Sequence, residues 1–267
     1  MNLDDLKKRG LVLLGCGKMG SAMLEGWLAG SLSPSDVWVI DPKPSDWLQS
    51  LNGLHLNEDL PDAPAMVLVA VKPQMMGDAL PQMRALGDGE TVFLSVAAGT
   101  PISAFEDALG GATPVIRAMP NTPAAVGRGI TALVANDRGE PSLALAEDLL
   151  QAVGQTVRLD SEAQMDAVTG VSGSGPAYVF HMIESLAKAG EAQGLSPDLA
   201  MALAKATVGG AGHLAENSPK DPGQLRVDVT SPNGTTQAGL DVLMGELPDL
   251  MERTVKAAAD RSRELKG

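Results

Sequence analysis

Short apolar runs bounded by turn residues punctuate the first part of the chain. They fall at 11–14, 37–40, 66–71 and 91–96, with weaker candidates at 115–116 and 130–134. Runs this short, apolar at every position, are expected of strands buried on both faces of a parallel sheet. Amphipathic stretches separate them. Residues 18–29 put Met19, Met23, Leu24 and Trp27 on one face, and 74–86 and 102–109 behave similarly. Strand–helix alternation with right-handed crossovers predicts a doubly wound α/β domain with a parallel sheet.

The texture changes near Asp160. From Glu162 onward no convincing strand appears. Pro176 sits in the first turn of a helix expected to reach 192. Ser196-Pro197-Asp198 starts another, running through Met201, Leu203 and Val208 towards His213 and Leu214. Residues 219–222 break it, and helical patterns at 239–245 and 247–265 follow. The expected division is an α/β domain over 1–160 and an all-α domain over 161–267. Surplus apolar positions at 200–208 and 240–250 predict that the helical half buries a face by dimerising.

Composition narrows the partners. With 267 residues, 44% of them apolar, the chain can bury a sizeable core. Aromatics are only 3%, so packing relies on Ala, Leu, Val and Met. A formal charge of −13 repels nucleic acid and anionic lipid, which excludes both as partners. Cys16 is the one cysteine, so no internal disulfide or thiolate metal site is expected. His55, His181 and His213 lack ligand spacing, and no metal is expected. A reducing, cytoplasmic setting fits. The charged N-terminus is followed by an apolar run too short for a signal peptide or a membrane span.

Candidate chemistry begins at Gly15-Cys16-Gly17-Lys18-Met19-Gly20, after a predicted strand and at the start of a predicted helix. Gly15 permits a tight turn, Gly17 lets backbone approach a pyrophosphate, and Gly20 lets helix pack near strand. Asp41, at the end of the second strand, completes a dinucleotide-binding, Rossmann-like pattern. Its carboxylate suits the ribose hydroxyl of NAD(H), whereas Lys43 could contact the 2′-phosphate of NADP(H); the pattern leaves both open. Val69-Ala70-Val71-Lys72-Pro73-Gln74 lies at the carboxyl end of the third strand, where ligands sit in this architecture. Pro120-Asn121-Thr122-Pro123 is a stiffened loop whose amide can hold a carboxamide. Gly170 to Pro176 puts Ser172, Ser174 and several backbone N–H groups at a helix start, which suits an anion or close helix packing. Asn233, Gly234, Thr235 and Thr236 form a polar segment that can hold a small carboxylate without a charged side chain. No acid–base team stands out. That points to an electrophile, such as a cyclic imine, that needs orientation more than acid–base help.

Together these motifs resemble the Δ1-pyrroline-5-carboxylate reductase family over nearly the whole chain. The resemblance rests on GCGKMG, AVKPQ, MPNTP, SGSGPAYVF and, most specifically, DPGQL followed by DVTSPNGTT. It implies a Rossmann domain with a helical domain that interlocks in a homodimer, and larger rings of dimers in some members. It implies that NAD(P)H reduces the imine to L-proline. By this resemblance Asn57 and Ala70 to Pro73 contact the dinucleotide, and Pro120 and Asn121 lie near the nicotinamide. The loop Asn233 to Thr236 holds the substrate carboxylate, and Thr236 lies close to the ring nitrogen. Many members carry Gly or Ala at the places of Asn233 and Thr235, so this loop is more polar. A β-hydroxyacid dehydrogenase shares the two-domain plan, but Val179 and Ile183 stand where its Lys and Asn would be.

Overall fold

The computed structural model describes residues 2–265. An eight-stranded sheet has the order β3-β2-β1-β4-β5-β6-β7-β8. The strands are β1 (Leu11–Leu14), β2 (Val37–Ile40), β3 (His55–Leu56), β4 (Met66–Val69), β5 (Val92–Ser95), β6 (Val115–Met119), β7 (Gly129–Ala135) and β8 (Gly154–Arg158). The chain runs outward from β1 through β2 to β3, then returns to β4 on the other side of β1. That reversal makes a switch point at the carboxyl ends of β1 and β4, where ligands bind in open sheets.

Alternation within each strand feeds two cores. Leu11, Leu13, Val37, Val39, Met66 and Leu68 pack on one face with Trp27. Val12, Leu14, Val67, Val69 and Phe93 pack on the other with Phe105. The first core is closed by α2 (Lys18–Ala29), which buries Met23, Leu24 and Trp27 and keeps Met19 half-buried. The indole Nε1 of Trp27 donates to the Leu149 carbonyl at 2.8 Å, tying α2 to α6 (Leu143–Leu150). Helices α1 (Leu3–Arg9), α3 (Asp46–Ser50), α4 (Met76–Gln82) and α5 (Ile102–Leu109) complete the layers around the sheet.

Several expected elements differ in detail. Every strand pair is parallel except β6 and β7, which are antiparallel. Only residues 120–128 join them, and that is too short for the crossover a parallel pair needs. The run at 66–71 leaves the sheet after Val69, and the pattern at 74–86 divides into 3-10 turns at Pro73–Met75 and Arg84–Leu86 around α4. β3 and β8 are additional strands, β3 only two residues long and β8 largely exposed.

Beyond β8 come α7 (Met165–Val168), a π-helical turn at Thr169–Gly173, α8 (Gly175–Ala192), α9 (Pro197–Asn217), α10 (Pro222–Asp228) and α11 (Thr235–Glu264). The two patterns expected at 239–245 and 247–265 form the single helix α11, which contains Pro248. Proline lacks the N–H that would bond the carbonyl four residues back, that of Met244. Chain contacts divide the molecule into two compact units. One reaches from the N-terminus to Gly173 and takes in the end of α11 from Ala258; the other is Ser174–Ala257. Within the first, buried Met165 joins the second core, and the Ser262 hydroxyl donates to buried Asp166 at 2.8 Å.

Candidate active site

Gly15 follows β1 with φ +90, and a Cβ there would press on Val71 and the backbone of Ala70. A Cβ at Gly20 would lie 2.5 Å from the Gly15 carbonyl oxygen. The loop is therefore wound tightly on itself and against the end of β4, and glycine is required at both places. Gly17 differs. It caps α2, it is exposed, and its missing Cβ would meet nothing within 4 Å. The tip formed by Gly17 and Lys18 faces open space, with the first N–H groups of α2 behind it.

Asp41 is bound into this loop. Its Oδ2 accepts from the Cys16 N–H at 2.8 Å and its Oδ1 from the Lys43 N–H at 2.8 Å. Its backbone is fixed by Asn57, just past β3: the Asp41 N–H donates to Asn57 Oδ1, and Asn57 Nδ2 donates to the Asp41 carbonyl, both at 2.9 Å. Asn57 adopts φ +54, a left-handed conformation that asparagine tolerates. Burial, and then the charges of Asp41 and Glu25, push the Cys16 thiol up to about 12, so the sulfur stays protonated and inert.

The loop after β6 is also committed. Asn121 Oδ1 accepts from the Ile130 N–H at 3.0 Å, and Nδ2 donates to the Ser172 carbonyl at 3.2 Å. The amide thus braces β7 and the π-helical turn; one Nδ2 hydrogen and one lone pair remain for a ligand. Pro120 is buried beside it. Lys72 is exposed, extended, and starts the 3-10 turn after β4, accepting the Met75 N–H at its carbonyl. The first unit therefore brings together Gly15, Gly20, Ala70 and Val71 in one contact group, and Cys16, Asp41, Lys43 and Asn57 in another.

In the second unit, α10 ends at Asp228 and α11 begins at Thr235. Between them Asn233 has φ +58 and the Gly234 N–H donates to the Ser231 carbonyl at 3.0 Å. The turn delivers the chain into α11, whose first bond runs from Ala238 N–H to Gly234 C=O, so Thr235 and Thr236 occupy the first turn. N–H groups in that turn have no carbonyl inside the helix. Lys220 Nζ and Gln224 Nε2 both donate to the Asp228 carboxylate, at 2.7 and 2.8 Å, which joins the Asp-Pro-Gly-Gln-Leu motif to the loop after it. The Lys220 bond, with Gln224 second, holds the Asp228 carboxyl below its ordinary value. Ser174 precedes α8, and its carbonyl accepts the Ala177 N–H.

A buried ion pair was not apparent in the sequence. Arg117, on β6, is buried and donates to Glu162 Oε1 at 2.6 Å; the same oxygen accepts the Ile102 N–H that opens α5. An arginine inside the apolar run of β6 is the signal that could have revealed it.

A glycine loop at a sheet's switch point, backed by an acid just past the second strand, defines the class: a nicotinamide-dependent oxidoreductase with a Rossmann-like fold. Residues 10–99 match a family described as NADP oxidoreductase, coenzyme F420-dependent, and residues 162–265 match pyrroline-5-carboxylate reductase dimerisation. The chain is 37% identical over 265 residues to a pyrroline-5-carboxylate reductase of Pseudomonas aeruginosa, covering 96% of each. It superposes on the Coxiella burnetii reductase with a TM-score of 0.91 at 32% identity, covering 97% of this chain and 99% of that one. The Plasmodium falciparum pyrroline carboxylate reductase, solved with NADP bound, gives a TM-score of 0.82 at 27% identity, covering 98% and 99%. The chain belongs to the pyrroline-5-carboxylate reductase family. Among the described residues no helix is long and apolar enough to cross a membrane.

Proposed function

We propose that the chain reduces the cyclic imine of Δ1-pyrroline-5-carboxylate to L-proline with NAD(P)H, the last step of proline biosynthesis, in the cytoplasm. Full-length kinship with reductases of that name carries the reading. The open face of Gly17, beside two glycines that cannot carry a side chain, supports the fit of a pyrophosphate there.

The functional division we propose is dinucleotide binding by 1–160 and substrate binding with dimerisation by 161–267. Gly15, Cys16, Gly17, Lys18, Met19 and Gly20 hold the pyrophosphate through backbone N–H groups. Asp41 and Asn57 take the adenosine ribose, and Ala70, Val71, Lys72 and Pro73 line the approach at the end of β4. Pro120 and Asn121 fix the nicotinamide end. The N–H groups of Asn233, Gly234, Thr235 and Thr236 neutralise the substrate carboxylate, with Ser174 as a further donor. The Thr236 hydroxyl bonds the ring nitrogen and keeps its proton in place while the carbon is reduced. Bound NAD(P)H supplies the hydride. With the imine already electrophilic, orientation is the main contribution of the chain.

Exposed Val179, Phe180, Met182, Leu186, Leu203 and Leu243 support burial of the helical unit in a homodimer, with rings of dimers as a larger assembly.

The test is loss of the reduced-nicotinamide absorbance when racemic pyrroline-5-carboxylate is added. Turnover is expected. Dinucleotide binding without absorbance loss would make the chain a sensor instead. Thr236→Ala is expected to lower kcat about 10–100-fold, the loss of one oriented hydroxyl; full activity would remove Thr236 from its role.

A further inference from the structure

We infer that this chain selects NADH over NADPH and that Asp41 makes the selection. The inference rests on the reading that residues 15–20 hold the dinucleotide, and it deepens that reading at the ribose.

The carboxylate cannot swing away from the loop. One oxygen is held by the Cys16 N–H and the other by the Lys43 N–H, while Asn57 pins the backbone on both sides of the peptide. Each oxygen retains a second lone pair, so the pair of oxygens can accept the 2′- and 3′-hydroxyls of a ribose without breaking either bond. A phosphate ester at the 2′ position reverses the sign. It brings close to two negative charges against a carboxylate group held in place.

The surroundings offer little to offset that repulsion. Between Arg9 and Arg84 the chain carries no arginine, the side chain suited to bidentate phosphate recognition; its cations there are Lys18, Lys43 and Lys72. Arg9 donates to the carbonyls of Ala63 and Pro64, and Arg84 pairs with Asp88. Lys43 is exposed between Pro42 and Pro44, with its backbone N–H already given to Asp41. Glu25 adds its charge to that of Asp41 at Cys16, and Glu58 and Asp59 follow Asn57 at the end of β3. Asp41 and Glu25 together place negative charge at the loop.

Calorimetric titration of the full-length protein tests the inference without turnover. The ligands are NADH, NADPH, AMP and adenosine 2′,5′-bisphosphate. NADH is expected to bind about 10–100-fold tighter than NADPH, from one carboxylate facing a dianion in partly screened surroundings. AMP should exceed the bisphosphate by a similar factor. Asp41→Ser is expected to close the gap at least tenfold, by weakening NADH and strengthening NADPH. Asp41→Asn preserves the shape and one acceptor oxygen; should the serine variant fold poorly, it must narrow the gap in the same direction. Equal affinity for NADH and NADPH in the parent chain, or an unchanged ratio in both variants, overturns the selection by Asp41 while the reductase reading stands. Absence of binding by either dinucleotide overturns both.

Discussion

In the α/β unit Trp27, Phe93 and Phe105 are fully buried, and every residue of β1, β4 and β5 is buried with them. In the helical unit the buried cluster consists of Ala187, Ala200 and Ala204, with Ile183 and Met201 packed against it. The same unit exposes Phe180, Leu203, Leu214, Val242 and Leu243. One unit completes its own core. The other holds α8 against α9 through small side chains and leaves its large apolar ones uncovered. Burial of each large aliphatic side chain is worth about 1.5–3 kcal/mol, so covering these side chains on association would stabilise the second unit. The contrast also separates two kinds of loop. The glycine loop is locked by Ile40 at the end of β2 and by Ala70 and Val71 just past β4, whereas the loop at 231–234 is held by a turn and a helix start.

Breaking association should have the largest effect. Phe180→Glu, at a side chain 60% exposed, is expected to convert the dimer to a monomer in light scattering and to lower the melting temperature. A dimeric mass with unchanged melting would remove the contrast between the units. A smaller effect is expected inside the self-sufficient unit. Arg117→Ala leaves Glu162 without its cation and should cost roughly 3 kcal/mol in chemical denaturation. An unchanged midpoint would show that the pair is dispensable.

The smallest effect concerns Cys16. With its thiol raised from an ordinary 9.0 to about 12, the folded chain keeps a proton that the unfolded chain releases. The unfolded state then binds fewer protons, so this group lowers stability as pH rises from about 9 towards 12. At pH near 9.0 the thiol should resist iodoacetamide in the native protein and react once urea is added. Equal rates in both states would contradict its burial.

The sequence displayed those parts whose signal is local. β1, β2 and α2 lie where the apolar pattern put them, because a four-residue buried strand is apolar throughout and Gly15 and Gly17 mark the turn into the helix. β3 escaped because two residues make no run, and β8 because an exposed edge strand, Gly-Gln-Thr-Val-Arg, is largely polar. The antiparallel return of β7 was written in the length of the connection rather than in β7 itself. At the site, the glycines and Asp41 were legible as residue types. Their coupling was not, since Cys16 and Asp41 are 25 residues apart and Arg117 and Glu162 are 45 apart. Asn57 entered only through family resemblance, and the structure supplies a local reason for it: its amide clasps the backbone of Asp41.

Gly17→Val tests the central claim most directly, because the missing Cβ of Gly17 meets open space while those of Gly15 and Gly20 would meet backbone. Melting and NADH titration are read on the same sample. The account predicts an unaltered melting temperature and a loss of NADH affinity of about 100-fold or more, because a branched side chain blocks the approach of a pyrophosphate to the main chain. Undiminished NADH binding by the folded variant would contradict it.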